Sequence, residues 1–178
     1  TIPSKPKDSI EQVAREKRFN ALIKTAKKFN ADAVALAHHQ NDLAETVLMR
    51  IIRGAGLQGL QAILPKRKIN DTLFIRPLIY QNRDTIEKFL LERKIPYRND
   101  PTNSNTKFFR NKVRHQLMNC LRTKYNPNIQ ETLANLAESA SLDYEFLRQE
   151  AEKSFTNLVT QKVSTTISLN SKKLMTKH

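Results

Sequence analysis

Apolar residues recur along this chain at helical spacing in some stretches and at alternating or continuous spacing in others, and the changes mark out its elements. Ile10, Val13, Ala14, Ala21, Leu22, Ala26 and Phe29 form one stripe, with lysines and arginines outside it, which predicts an amphipathic helix over 9–29. Asn30-Ala31-Asp32 reads as a turn, and the short apolar run from Ala33 to Ala37 fits a buried strand flanked by helices. His38 and His39 stand at its carboxyl end. Asp42 and Glu45 have the spacing of a capping pair, so a helix is expected to start at Asp42, with Glu45 capping first of all. Leu43, Ala44, Val47, Leu48, Ile51 and Ile52 supply its apolar face, and Gly54 stops it.

Gly54, Gly56 and Gly59 match G-x-G-x-x-G, but a dinucleotide loop must follow a strand and open a helix, whereas this match follows a helix. A helix stop with a tight turn accounts for it better. Residues 63–69 read as a solvated basic connector, Asn70-Asp71 as a turn, and Thr72 to Ile75 as a short strand. Asp84 is the expected N-cap of a helix to Arg93, and Ile95-Pro96-Tyr97 an edge strand. Turn chemistry makes 99–105 a loop, followed by one helix over 108–121. After the break at Asn126-Pro127, Ile129, Leu133, Leu136, Ala140, Tyr144, Leu147 and Ala151 predict a long helical seam. Val163 to Leu169 alternates like a strand, and a helix is expected from Lys172.

Helix, strand and helix in succession predict an α/β layer with a parallel sheet over 1–125, followed by a mainly helical segment over 126–178. Ligands of such sheets bind beyond the carboxyl ends of the strands, which places His38, His39 and Asp42 at the rim of a site. Neighbouring residues on a strand end point to opposite faces, so the two histidines do not readily share a metal. The residue pattern leaves each of them open as a site residue or a hydrogen-bonded rim residue.

Charge sharpens this picture. Of the formal net charge of +14, residues 1–60 carry 10 basic and 6 acidic side chains, 61–125 carry 15 and 5, and 126–178 carry 6 and 6. The excess is concentrated in the middle third, as a polyanion-binding face requires. Lys107, Arg110, Lys112 and Arg114 cluster at a helix start, where the macrodipole disfavours cations. An RNA backbone, a nucleotide phosphate or an acidic segment elsewhere in the chain would account for them. The single cysteine, Cys120, excludes an intrachain disulfide, and no apolar run reaches the ~20 residues of a membrane span. Thr1 to Ser9 has no apolar core of a signal peptide. The start at Thr1 leads to the expectation of a fragment or one part of a split protein.

His38-His39, Asp42, Glu45-Thr46 and Arg53-Gly54-x-Gly56-Leu57-x-Gly59-Leu60 are followed by Arg76-Pro77-Leu78, Asp100-Pro101-Thr102-Asn103 and Arg110-Asn111-Lys112-Val113-Arg114. In order and approximate spacing, over about residues 10 to 150, these motifs resemble the tRNA(Ile)-lysidine synthetases, ATP-dependent enzymes of the PP-loop class. The resemblance implies the C-terminal part of a parallel-sheet PP-loop domain, similar to adenine nucleotide alpha-hydrolases. It also implies adenylation of the wobble cytidine of the CAU anticodon of tRNA(Ile), then attack by L-lysine with loss of AMP. Implied catalytic residues are Asp42 and Arg53. His38, His39, Arg110, Asn111 and Arg114 are implied to bind ATP or substrate, and Asp42 to lie near Mg2+. By residue pattern alone, Asp42 is an N-cap and Arg53 complements a helix dipole.

The chain departs from the family in having Asn41-Asp42 where two acids are frequent, Leu43 where Gln is common, and no Ser-Gly-Gly-x-Asp-Ser phosphate loop. The resulting expectation is that the 178 residues alone do not make lysidine. Expected partners are tRNA(Ile), lysine, and a second copy or a complementing amino-terminal segment, with no membrane; the expected compartment is bacterial cytoplasm or plastid stroma. Alternatives are a noncatalytic RNA-binding remnant, or a PP-loop tRNA thiolase, which Cys120 alone fits poorly.

Overall fold

The computed structural model describes residues 10–98, 108–163 and 166–175, with the side chains of 10–12 and 162 outside the description. The expected loop at 99–105, with Asp100 to Asn103, and the basic Lys107 lie outside the described residues. Helix α1 spans Ile10–Lys28. It ends where Asn30 takes a left-handed φ of 48° and Ala31 N donates to Ala26 O at 2.9 Å, a conformation that Asn tolerates better than most residues. Of the expected stripe on α1, Ala26 is buried, but Phe29 and Val13 are exposed and Ile23 takes the buried place. The helix leans on the sheet through Phe19, whose ring lies 5.1 Å from the fully buried Phe74, and this contact rotates the stripe toward 19, 23 and 26.

Strand β1, Ala33–Ala35, pairs in parallel with β3, Thr72–Ile75, and β3 pairs antiparallel with β2, Lys66–Ile69. The order is β1-β3-β2. Leu36 N donates to Ile75 O at 2.9 Å and carries the parallel ladder one step toward His38. Strand β2 replaces the expected solvated connector. Its signal was the turn and not the strand: Asn70 and Asp71 have φ of 46° and 64°, the paired positive values of a two-residue hairpin turn. The strand itself is KRKI, too basic for apolar alternation to reveal it.

Helix α2 spans Gln40–Ile52, two residues earlier than expected, and a short α3 spans Leu57–Leu60. Helix α4, Arg83–Glu92, is capped by Asn82, which accepts from Thr85 N at 2.7 Å, so Asp84 sits inside the first turn and is not the cap. No strand forms at 95–97. Lys94 turns left-handed and Ile95 N returns to Leu90 O at 2.9 Å, so this backbone closes the helix. The single helix expected over 108–121 is three consecutive pieces: α5, Phe109–Lys112, a π-helical turn, Val113–Leu117, and α6, Met118–Lys124.

Helix α7, Ile129–Leu158, follows the expected break. Its first half packs in the same core as α2: Leu43, Ala44, Val47 and Leu48 meet Leu133, Ala134 and Ala137, together with Ile79, Val113 and Met118. Alanines take the contact because small side chains let two helices approach closely. Leu136 and Leu147, placed in the seam by spacing, are exposed. The alternation at the end of the chain belongs to a hairpin of β4, Val159–Val163, and β5, Thr166–Leu169, and not to one strand over 163–169. Helix α8, Ser171–Met175, comes last. The architecture is α/β with one parallel pairing, followed by a mainly helical part.

Candidate functional site

The carboxyl ends of the two parallel strands bring His38 and Arg76 together. Arg76 is buried; its Nε donates to His38 Nδ1 at 3.3 Å and its Nη1 to Leu64 O at 2.7 Å. Burial pushes His38 below the ordinary histidine pKa; Asp42 opposes that shift, and Arg76, Arg110 and Arg18 add to it. A neutral ring with an unprotonated Nδ1 is the form that can accept from a guanidinium.

His39 turns the other way and caps α2. Asp42 N donates to His39 Nδ1 at 3.4 Å, and His39 N donates to Asp42 Oδ2 at 3.1 Å, a reciprocal capping box. The cap is therefore His39, and Asp42 is the third helical residue. Sequence spacing fixed on the wrong pair because histidine is an uncommon cap, whereas D-x-x-E is a familiar one.

Glu45 is correspondingly not a capping residue. It is 2% exposed, and its carboxylate lies against two guanidinium groups from the far side of the fold. Arg110 Nε donates to Glu45 Oε2 at 3.0 Å, and Arg114 donates from Nε to Oε1 at 2.6 Å and from Nη2 to Oε2 at 3.0 Å. Asp42 Oδ1 accepts from Arg110 Nη2 at 2.9 Å and faces Arg114 Nη2 at 3.4 Å. Asp42 and Glu45 share one face of α2 because they are three apart, and Arg110 and Arg114 share another because they are four apart. Burial opposes the Arg114 charge, but hydrogen bonding and charge pairing with Glu45, then Asp42, outweigh it and its pKa is raised. The acids on α2 thus account for Arg110 and Arg114 among the cations expected at this helix start.

Two cavities flank this lattice. One, of about 540 Å³, opens at the strand rim and is lined by His38, Arg15, Arg50, Arg67, Arg76 and Arg110, among others. The other, of about 860 Å³, lies between α1, the β2–β3 hairpin and the end of α2. Arg15, Arg67 and Arg110 belong to both. Arg110 is neutralised by Asp42 and Glu45, Arg50 donates to Gly59 O, and Arg76 is held as above. Arg15 and Arg67 have no acidic partner among the described residues. Burial lowers the Arg15 pKa first, and the charges of Arg18, Arg110 and Arg67 lower it further.

Arg15, Arg50, Arg67 and Arg76 were absent from the expected site set. The usable signal for Arg67 was the hairpin turn, which pairs it with Phe74 and so turns it toward α1. Among the expected residues, Arg53 lies in the second cavity with its guanidinium 5.2 Å from the Phe109 ring centre, Asn111 is buried, and His39 serves the cap. Gly54, with φ of 75°, is the helix stop, and a Cβ at Gly59 would meet Ala55 Cβ at 2.6 Å. These glycines shape a turn under the first cavity, where Gly59 is a lining residue.

The surroundings of Asp42 suit Mg2+ poorly in this arrangement. One oxygen lies between two guanidinium groups and the other on the His39 amide, and hard divalent cations require several free oxygen ligands. Among the described residues no three His, Cys, Asp or Glu side chains converge as a metal site. No described helix is long and apolar enough to cross a membrane.

The sequence profile of the PP-loop domain family matches residues 3–121. The chain is 40% identical over 151 residues to the tRNA(Ile)-lysidine synthase of Thermotoga maritima, covering 83% of this chain and 35% of that protein. It is 38% identical over 150 residues to the enzyme of that name from Clostridium perfringens, covering 84% and 31%. With its counterpart from Porphyromonas gingivalis it shares 43% identity over 131 residues, 74% of this chain and 28% of the other. The chain thus spans about a third of the length of these relatives.

Proposed function

The chain belongs to the PP-loop domain family, and from that premise we propose that it is the nucleotide- and tRNA-facing part of an ATP-dependent enzyme that forms lysidine at the wobble cytidine of the CAU anticodon of tRNA(Ile). The observation that carries this reading is the cavity at the carboxyl ends of β1 and β3, where Arg15 and Arg67, with no acidic partner among the described residues, stand beside the buried Arg76 and neutral His38. Such a rim is where open α/β sheets bind ligands, and planar guanidinium groups match phosphate oxygens.

The chemistry of this proposal, which the family resemblance implies, is a ligation in two steps. The carbonyl oxygen of cytidine attacks the α-phosphorus of ATP and pyrophosphate departs. The amine of L-lysine then attacks the activated carbon and AMP departs with the oxygen. Both steps build negative charge on phosphate, which preorganised cations stabilise without reorganisation. In this reading Arg15 and Arg67 face the phosphates, while Arg50, Arg76 and His38 shape the pocket. Arg110 and Arg114, locked to Asp42 and Glu45, hold the wall in place. All three glycines of the sequence lie between 54 and 59, so we propose that the glycine-rich phosphate cradle comes from a segment outside these residues.

The test is ATP-dependent transfer of labelled lysine to a tRNA(Ile) transcript with a CAU anticodon. It is run with the 178-residue chain and again with a Ser-Gly-Gly-x-Asp-Ser-bearing segment added in cis or in trans. Transfer that depends on the added segment supports the proposal. RNA binding without transfer in every combination favours a noncatalytic RNA-binding role, the second reading.

A further inference from the structure

The second cavity carries a separate inference. It is walled by Arg15 and Arg18 on α1, Arg67 on β2, Arg53 at the end of α2 and Arg110 on α5, five arginines drawn from four elements. Only Arg110 has an acidic partner among the described residues, and the one acid in the wall is Glu16. Arg15 lies 5.6 Å from the Phe19 ring centre and Arg53 lies 5.2 Å from that of Phe109, so aromatic faces hold these guanidinium groups where carboxylates would otherwise do so. A side chain held by a ring keeps its full charge for a ligand.

Phe109 and its neighbour Phe108 stay 37% and 44% exposed, although both are large and apolar. An exposed ring backed by arginine, beside a groove lined by arginines, combines the two parts that single-stranded nucleic acid requires: a cationic track for the backbone and a platform for a base. A duplex hides its base faces, so the ring has use only for an unstacked base. The position also differs from the strand rim: Arg18, Asn20, Arg53, Ile69 and Asn70 line this cavity and not the first.

We propose that the second cavity binds the sugar–phosphate backbone of a single-stranded RNA segment and that Phe109, with Arg53 on its ring, stacks a base of that segment. The proposal rests on the tRNA-modifying reading above and adds where the unpaired stretch of the substrate lies: along α1 and the β2–β3 hairpin, with Arg15 and Arg67 as the wall shared with the nucleotide pocket.

The experiment uses the whole 178-residue chain and three probes: a labelled single-stranded RNA of about ten nucleotides, an RNA duplex of equal length, and a fluorescent ATP analogue. Phe109→Leu is expected to weaken single-strand binding about tenfold, the scale of one lost base stack, whereas Phe109→Tyr keeps it. Arg18→Gln is expected to lower the slope of log affinity against log salt by about 0.7, the single-strand value for one phosphate contact. Neither changes affinity for the ATP analogue, and thermal melts report whether each variant is folded. Wild-type affinity for single strands no greater than for duplex, or unchanged RNA binding in folded Phe109→Leu and Arg18→Gln, overturns the inference and leaves the proposed function standing. Parallel loss of RNA and nucleotide binding in these variants overturns the separation of the two cavities. A wild-type chain that binds neither RNA nor the ATP analogue overturns the functional reading and this inference together.

Discussion

Two pairs of arginines, one on α5 and the π-helical turn, the other on α1 and β2, do opposite things. Arg110 and Arg114 are matched by Asp42 and Glu45, whereas Arg15 and Arg67 face the cavities with no acidic partner among the described residues. The first pair is held by a carboxylate almost wholly removed from water, where an ion pair lasts only if its hydrogen bonds are complete. The second pair lies at the cavity walls, where burial first, and then the charges of Arg18, Arg110 and Arg67, depress the Arg15 pKa. A count of basic residues treats the four alike. Their partners divide them into a lock and a ligand-facing set.

The largest effect should come from breaking the lock. Glu45→Ala leaves two guanidinium groups facing a cavity in place of a carboxylate; the loss should be about 3 kcal/mol, the lower end for a broken buried pair because both arginines reach solvent. Chemical denaturation at neutral pH measures it, and a change under 1 kcal/mol would mean that the lock is ornamental. Next, Arg15→Gln with Arg67→Gln should leave melting unchanged or slightly improved while reducing affinity for triphosphate about tenfold or more. A stability loss as large as that of Glu45→Ala would erase the distinction between the two pairs.

Asp42→Asn tests the boundary between them. Asparagine can still accept from His39 N but brings no charge to Arg110 and Arg114, so a loss of ~1.5 kcal/mol is expected where simple capping would predict almost none. Equal stability of Asp42→Asn and the parent would return Asp42 to a purely capping role. The smallest effect concerns pH. The folded pKa of His38 lies below its unfolded value, so the unfolded chain binds more protons in the window between them. Its contribution is complete above about pH 6.5 and falls as pH drops from there toward the folded pKa. His38→Gln, which retains an acceptor for Arg76, should flatten that part of the stability profile; an unchanged slope would assign it to other groups.

Much of the fold was legible because helices announce themselves through spacing: α2, α4 and α7 form close to where spacing placed them, and Gly54 stops α2 as its conformation requires. Ile51, Ile52, Phe89, Leu136 and Leu147 on their apolar faces are nevertheless exposed. The strand β2 was not legible, since nothing in Lys66-Arg67-Lys68 has a buried face to alternate. The site divided in the same way. His38 and Asp42 were visible from their place after a strand, but the partnership of Glu45 with Arg110 and Arg114 spans more than sixty residues and leaves no local pattern. Arg15 and Arg67 were hidden for a different reason. A surface arginine and a ligand-facing arginine look alike until the fold shows which carboxylates are near.

The π-helical turn at Val113–Leu117 can be viewed as a slip in phase. In an unbroken α-helix, at about 100° per residue, positions 110, 114, 117 and 121 fall on one side. Here Arg110 and Arg114 turn to the acids of α2, while Leu117 and Leu121 pack with Met118 against the apolar core. A wider turn between the two sets changes their relative bearing without breaking the rod. Charged and apolar surfaces can then be adjusted by the length of that turn alone: one residue more or fewer between Val113 and Leu117 rotates the whole of α6 relative to the arginines, so this short stretch should accept substitutions far more readily than insertions or deletions.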